Sequence, residues 1–488
     1  MPILSLGRAF TEAAGRDPDR PAVTIVGLGA DAGHDVTTTR GELESMSNRM
    51  ARAFAALGVQ HGSYVTIGLP NSAEFFAATL AAWKLGAVPQ PVSPRLPLRE
   101  RAAIVDLADS ALVVGADPDA HPGRPCLPVG WLPDPSLDDS PLADATPPAW
   151  KAPTSGGSTG RPKLIVAGDP GVIDTEADPG MGVLRDGVMM VPGPMYHNAP
   201  FSYASRGMVN GNHVITMERF DAEATLSGIQ THRPGWMLLV PTMMLRMSRL
   251  ENHREYDMSS LDVVWHMAAP CPPWLKEDWI NWFGGERIFE LYAGTEAQAV
   301  TVIRGDQWMS RRGSVGKTIY GEMKVVAGDG SDAPPGEVGE IYMRAPDGRV
   351  TYRYLGADAK RNDDGWESLG DMGWIDEDGF VYLTDRLGDM ILAGGANIYP
   401  AEVEAAIDEH PSVQSCAVIG LPDEDLGNRI HAIVQARPGA SVTQDDLRTH
   451  LADRLVRYKI PRSFEFSDEP LRDDAGKVRR SQLRAERL

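Results

Sequence analysis

The sequence predicts an α/β protein: a large N-terminal domain of doubly wound parallel sheets, followed by a small α+β domain. Three observations carry that expectation. The chain has 488 residues, and length alone allows roughly three domains at about 150 residues each. Up to about residue 300, apolar runs of strand length alternate with runs at helical spacing, the pattern of parallel strands joined by crossover helices. Beyond that point the alternation gives way to short β runs, and then to a mixed α and β segment.

The elements follow in order. Leu43, Met46, Met50, Phe54 and Leu57 recur at helical spacing, and Gly58 stops the helix. A strand over 64–69 comes next. Asn71 or Ser72 is placed to cap the following helix, which shows Phe75, Phe76, Leu80 and Trp83 on one side and ends before Gly86. Residues 111–114 read as a buried strand. Residues 115–153 hold ten prolines and six aspartates, which suit neither helix nor central strand, so they read as a surface connection. The alternation then resumes with a strand over 236–240, a helix over 242–250, a strand over 261–267, a helix over 274–283 and a strand over 288–292. From 300 to 385, short β runs with Gly-Asp turns predict a small β-barrel-like part. Helices near 401–409 and 444–455 with strands near 413–419 and 429–436 predict the small last domain. The expected division is 1–386 and 387–488.

Composition sets limits on function. Hydrophobic residues make up 42% and charged residues 23%, close to globular norms. The 47 Lys and Arg stand against 67 Asp and Glu, a net charge of −20. Such a surface repels phosphate backbones and anionic lipid, so neither a nucleic acid nor an integral membrane contact is expected. An anionic small ligand needs a local exception to that field. The three cysteines, Cys126, Cys271 and Cys416, form no CxxC pair, which suits a reducing, cytoplasmic setting and excludes a cysteine zinc site. The N-terminal stretch has no apolar run of signal-peptide kind.

The local exception is Thr154-Ser155-Gly156-Gly157-Ser158-Thr159-Gly160-Arg161-Pro162-Lys163. Its glycines let backbone N–H groups approach a phosphate chain, its hydroxyls add donors, and Lys163 adds charge. It departs from the Gly-x-x-x-x-Gly-Lys-Ser/Thr loop, because Arg161 and Pro162 separate Gly160 from Lys163. A flexible Gly/Ser linker is the bland alternative. Glu290-Leu291-Tyr292-Ala293-Gly294-Thr295-Glu296 lies at the C-terminal end of an expected parallel strand, where ligands of such sheets bind. There an aromatic face, a hydroxyl and a carboxylate can meet a base, a phosphate and Mg²⁺, unless the stretch is an ordinary strand exit. Val240-Pro241 and Ala268-Ala269-Pro270 end two preceding strands in a similar way. Gly370-Asp371, Asp385 to Asp389 and Gly476-Lys477-Val478 are turns or solvated charges when read singly.

Taken together and in this order, these segments resemble the adenylate-forming (AMP-binding) superfamily of acyl- and aryl-CoA synthetases, adenylation domains and luciferases. The resemblance runs from Thr39-Arg40-Gly41-Glu42-Leu43 to Gly476-Lys477-Val478-Arg479-Arg480. It takes in Leu69-Pro70-Asn71-Ser72, Val240-Pro241-Thr242, Gly336-Glu337-Val338-Gly339-Glu340-Ile341 and the stretch Gly394 to Glu404. Pro194 to Pro200, Pro273-Trp274-Leu275-Lys276 and Ile303 to Trp308 look closest to bile-acid–CoA ligase-like members.

The resemblance implies an ATP-dependent acid–CoA ligase. A carboxylate attacks the α-phosphate of ATP, pyrophosphate leaves, and CoA then displaces AMP. By motif position, Ser155, Gly156, Gly157, Ser158, Thr159, Gly160 and Lys163 would cradle phosphates. Tyr292 would stack on adenine, Thr295 would meet the α-phosphate and Glu296 would ligate Mg²⁺. Asp371 would hold the ribose hydroxyls with Arg386 beside them. Lys477, on a mobile C-terminal domain, would bridge the acid and the α-phosphate. His197 would stand at the mouth of the acid pocket, with Asn198, Ala268 and Gly294 against the substrate. Gly394 and Gly395 would line a pantetheine tunnel, and Gly388 stands where many members carry a hinge Asp or Lys. Small residues (Ala199, Ala268, Ala269, Gly294) favour a bulky, ring-containing or aryl acid, with Trp236, Trp265 and Met267 as apolar walls or simple core. A carrier thiol, an amine, or nitrite adenylation for diazotisation remains open. So does a non-catalytic nucleotide-binding role, which Lys163, Glu296, Asp371, Arg386 and Lys477 disfavour.

Overall fold

The computed structural model describes residues 3–155, 162–386, 389–393, 396–423, 426–473 and 476–488, with Ser155, Asp385, Arg386 and Asn397 described by backbone alone. Its larger domain is organised on parallel strands β1 (Pro21–Ile25), β2 (Val188–Met190), β3 (His213–Thr216), β4 (Trp236–Leu239), β5 (Val263–Met267) and β6 (Ile288–Ala293). They lie in the order β1-β3-β2-β4-β5-β6, every neighbouring pair parallel. Helices α1 (Asn198–Val209), α2 (Ala222–His232), α3 (Pro241–Ser248) and α4 (Pro273–Phe283) make the crossovers between β2 and β6. Beyond β6 the sheet continues through antiparallel strands Val300–Arg304, Ser314–Tyr320, Phe380–Arg386, Glu367–Ile375, Gly339–Arg344 and Glu322–Val326. The short β runs after residue 300 are this antiparallel wing, together with Tyr352–Leu355 in a separate three-stranded sheet with Lys163–Ala167 and Thr154–Ser155.

A second parallel sheet is built from Val88–Pro91, Tyr64–Ile67, Leu112–Val114 and Cys126–Leu127. The helix Ala73–Lys84 is buried over its whole circumference rather than on one side. Ala77, Ala78, Ala81 and Ala82 are as inaccessible as Phe75, Phe76, Leu80 and Trp83. A helix apolar all round is one packed on several faces, and small residues on the second face permit that close packing. Ser72 caps it, its Oγ accepting from Phe75 N–H at 3.2 Å. Asn71 does different work. Its Oδ1 accepts from Met195 N–H at 2.8 Å, and its Nδ2 donates to Gly193 O at 2.9 Å and Thr216 Oγ1 at 3.1 Å. A buried amide must satisfy donors and acceptor alike, and here it ties the Pro194–His197 turn to the sheet.

The proline-rich connection is largely superficial, but Cys126–Leu127 adds an edge strand to the second sheet with Leu127 in the core, and the end of the segment turns inward. Ala152 is fully buried and its N–H donates to Pro89 O at 3.0 Å. Lys151 O accepts from Ala167 N–H at 3.0 Å, and Trp150 O accepts from the Trp83 indole at 2.8 Å. Composition hides this turn inward, because prolines dominate the segment while the last few residues bond like a strand.

The smaller domain packs α5 (Pro400–Asp408) and the helix Gln444–Ala452 against a three-stranded sheet of Val413–Asp423, Gly427–Ala436 and Ser463–Phe466. It is docked on the larger one. Arg249, at the end of α3, donates to Gln414 O at 2.6 Å and to Asp408 O at 3.4 Å. A cation at the C-terminal end of α5 meets carbonyls left without helical partners. Arg479 and Glu100 approach to 3.7 Å across the same junction. Among the described residues no helix is long and apolar enough to cross a membrane.

Candidate active site

Because β4, β5 and β6 are parallel neighbours in register, the chain leaves all three on one edge. The exits are Val240-Pro241-Thr242, Ala268-Ala269-Pro270 and Gly294-Thr295-Glu296. Ala268 and Ala297 hold φ values of 74° and 57°, a left-handed backbone that costs a residue with a side chain about 1–3 kcal/mol. At Gly294 a Cβ would fall 2.3 Å from Leu369 Cδ1 and 3.0 Å from Glu296 Oε2, so a side chain there would force Leu369 aside and crowd the carboxylate. Tyr292 donates its hydroxyl to Asp371 Oδ2 at 2.8 Å, joining residues 79 apart in sequence. Asp371 is buried, and its backbone pairs with that of Arg386.

Ser155 and Lys163 face each other across an antiparallel pair, so the glycine-rich segment departs from and returns to one point. Lys163 Nζ stands 4.0 Å from Glu296 Oε1 and 3.9 Å from the Tyr354 ring centre. Tyr354 donates its hydroxyl to the same Glu296 oxygen, and Thr351 donates to Glu296 O at 2.7 Å. Burial, and then the Glu296 charge, push the Tyr354 phenol far above its ordinary range. It therefore stays a donor at working pH. Behind it Glu367 accepts from Tyr352 and from Gln298 Nε2 at 2.8 Å. Sequence reasoning missed Tyr354; its sole signal is the Tyr352-Arg353-Tyr354 alternation, which any strand can show.

Among the described residues no group of three or more His, Cys, Asp or Glu side chains is placed to hold a metal. Glu296 nonetheless fits one kind of ion. It is a single buried carboxylate with one oxygen oriented by Tyr354, matching the habit of Mg²⁺, which takes one or two carboxylates plus substrate phosphates.

The smaller domain brings Lys477 to this edge. Asp473 N–H donates to Lys477 O at 2.9 Å, and Lys477 N–H donates to Asp473 Oδ1 at 2.9 Å. Gly476 has φ 76°, and a Cβ there would lie 2.4 Å from Thr242 Oγ1. The Gly476-Lys477 loop thus rests on the first turn of α3, where β4 ends, and only glycine satisfies both torsion and space. Lys477 itself is exposed.

On the acid side, His197 is the residue before α1 and its ring lies 4.4 Å from that of Tyr196. Asn198 Oδ1 accepts from Lys151 Nζ, a lysine that the proline-rich composition concealed. Trp236 and Trp265 both donate their indole N–H to Met181 O at 2.9 Å. Tyr203 stands 5.4 Å from Trp236, and Phe289 stacks on Trp265 at 4.9 Å. With Met267, these tryptophans belong to the main core. Gly156, Gly157, Ser158, Thr159, Gly160, Gly388, Gly394 and Gly395 lie outside the described residues, as do the side chains of Ser155 and Arg386.

Beneath β5 and β6 is a buried polar group. Lys276 Nζ contacts Glu290 Oε2 at 2.5 Å, and His266 Nδ1 lies 4.0 Å from Glu290 Oε1. Burial lowers the His266 imidazole from 6.5 to about 4. It does the same to His213, which bonds Thr24 Oγ1 at 2.7 Å, with His232 and Arg20 adding to the shift. Both histidines are neutral when folded, whereas unfolded imidazoles take up protons near 6.5. Their stabilisation is therefore complete above about pH 6.5 and lost as pH falls towards 4. Denaturant unfolding at pH 6.5 and pH 4.5 should show a loss, and His266→Gln should reduce it by on the order of 2 kcal/mol. Equal losses in the variant and the wild type would refute the assignment.

Residues 10–355 match the AMP-binding enzyme family and 402–477 its C-terminal domain. The chain belongs to the AMP-binding enzyme family. It is an adenylate-forming ligase. This AMP-binding enzyme is 31% identical to a feruloyl-CoA synthase of Amycolatopsis over 91% of its own length and 93% of the relative's. It is 30% identical to a long-chain-fatty-acid–CoA ligase of Mycobacterium tuberculosis, covering 92% of this chain and 93% of that one. Its fold matches an o-succinylbenzoate CoA synthetase of Bacillus subtilis, solved with its acyl-adenylate, at a TM-score of 0.82 and 24% identity. That match covers 99% of this chain and 98% of the other.

Proposed function

We propose that this AMP-binding enzyme adenylates a bulky, ring-containing or aryl carboxylic acid with ATP and then forms its CoA thioester. One observation carries the reading. Lys163, Glu296, Tyr292 and Asp371 from the larger domain and the Gly476-Lys477 loop from the smaller one gather at the ends of β4, β5 and β6. The feruloyl-CoA synthase relative lends weight to an aryl acid, and the motifs Pro194 to Pro200 and Ile303 to Trp308 to a place near bile-acid–CoA ligases.

In this reading Lys163 neutralises the outgoing pyrophosphate at the base of the glycine-rich segment 155–160. The Tyr292 ring supports adenine, while Asp371, aimed by the Tyr292 hydroxyl, accepts from the ribose with Arg386 alongside. Thr295 donates to the α-phosphate. Glu296, oriented by Tyr354, would hold Mg²⁺, whose charge assists departure of pyrophosphate. Lys477 joins the two anions that must react. His197, Asn198, Ala268 and Gly294 border the acid. Gly394 and Gly395 would pass the pantetheine arm, after the domain 387–488 turns about Gly388 relative to 1–386. Its three free cysteines are consistent with a cytoplasmic enzyme.

Pyrophosphate release from ATP over a panel of aryl, steroid and fatty acids, with nitrite included, tests this reading. Release with an aryl or ring acid, and AMP turnover that requires CoA, are expected. Release with nitrite alone, or turnover that needs an amine in place of CoA, would replace it with the corresponding alternative.

A further inference from the structure

Lys151 is 7% exposed, and burial of an ammonium group is tolerated when a carboxylate shares the site. None does among the described residues. Its Nζ donates to Asn198 Oδ1 and, at 2.7 Å, to Ser202 Oγ, and lies 4.1 Å from the Trp150 ring centre. The charged group that acts on it is another cation, Arg206, one turn further along α1. In a chain of net charge −20, the buried Lys151 and the exposed Arg206 meet at one helix with no acidic partner among the described residues.

The amide of Asn198 is oriented by the same contact. While Lys151 carries its proton it has donors only, so the amide oxygen faces it and the Nδ2 hydrogens face away. No described acceptor takes those hydrogens. Asn198 is also the first residue of α1, directly after His197, and no side chain caps that helix end. Three features of one polarity therefore coincide: an ammonium without a counterion, an amide locked as a donor, and helical N–H groups. The shelf under Lys151 is rigid, since Trp150 stacks on Phe201 of α1 at 6.2 Å.

We propose that Lys151, with Asn198 and Ser202, recognises a second carboxylate on the acid substrate, one remote from the carboxylate that is adenylated. The proposal rests on the adenylation reading above and narrows its substrate to ring-containing diacids. Lys151 acts partly on the substrate and partly through Asn198, and burial lowers its ammonium to about 7, so an arriving anion also restores its full charge.

The test compares two aryl acids that differ only in a remote ring substituent, carboxylate against methyl, each assayed for pyrophosphate release. The expected result is a higher kcat/KM for the diacid in the wild type. Lys151→Met should lower the diacid-to-methyl ratio by about 10- to 100-fold, and Lys151→Arg should keep part of it. Asn198→Leu should lower the same ratio and serves in its place if Lys151→Met fails to fold. A general structural defect would slow both acids alike and leave the ratio unmoved. An unmoved ratio, or a wild-type preference for the methyl acid, overturns the proposal. Absence of pyrophosphate with every acid overturns the adenylation reading itself, and is told apart because no ratio can then be formed.

Discussion

Lys477→Ala should slow formation of the acyl-adenylate by on the order of 10²–10³-fold, while thioester formation from supplied adenylate and CoA should continue near the wild-type rate. The chemistry demands this asymmetry. In the first half-reaction a carboxylate must approach a phosphate that is already anionic. Two unit charges at 4 Å repel by about 4 kcal/mol in a partly screened site. A fixed ammonium between them removes much of that cost, and gains strength as charge develops in the transition state. In the second half-reaction a thiol attacks an adenylate whose anions have already been joined. The structure seats the Gly476-Lys477 loop against Thr242, at the end of β4, where such a bridge can form. Pyrophosphate release reports the first step and thioester formation from synthetic adenylate the second. Equal losses in both would remove Lys477 from the role.

Lys276→Met has the largest expected effect on stability, with a cost on the order of 3–5 kcal/mol. Lys276 is 1% exposed and Glu290 7%, and their ion pair is closed from solvent by α4. Removing the ammonium leaves a buried carboxylate with the His266 imidazole at 4.0 Å and the buried Cys271 thiol among its neighbours. That imidazole, held neutral by burial, must then take a proton, or Glu290 must. Either way the energy comes out of folding. Thermal unfolding should fall by about 10 °C. Lys276→Met with Glu290→Leu should return most of the loss, because a matched apolar pair leaves no orphaned charge. A single variant that melts within a degree of the wild type would show that the pair contributes little.

The helices and strands were legible where one residue's neighbours decide its fate. Periodic Leu43 to Leu57 and the capping position at Ser72 are local, and the structure has the helices there as Arg40–Ala56 and Ala73–Lys84. The motifs Tyr292 to Glu296 and Gly370-Asp371 were legible as candidates because they stand beside breaks in those patterns. Their pairing was not. Tyr292 meets Asp371 and Tyr354 meets Glu296 across dozens of residues, and no local propensity encodes such a contact. Lys151 was obscured for a related reason: prolines signal exposure, yet two strand-like hydrogen bonds turn the end of that segment inward.

By itself, then, the sequence determined the order of elements, the acidic surface and the residue types available to meet a nucleotide. Those depend on spacing, on turn residues and on charge totals, all of which can be read along the chain. Only the tertiary structure decided which buried cation has no acid among the described residues, which amide is held as a donor and which carboxylate a tyrosine aims. These are matters of desolvation and of distances of a few ångströms between residues remote in sequence. Net charge is a sum over the whole chain, whereas the field at Lys151 depends on the handful of groups folded against it.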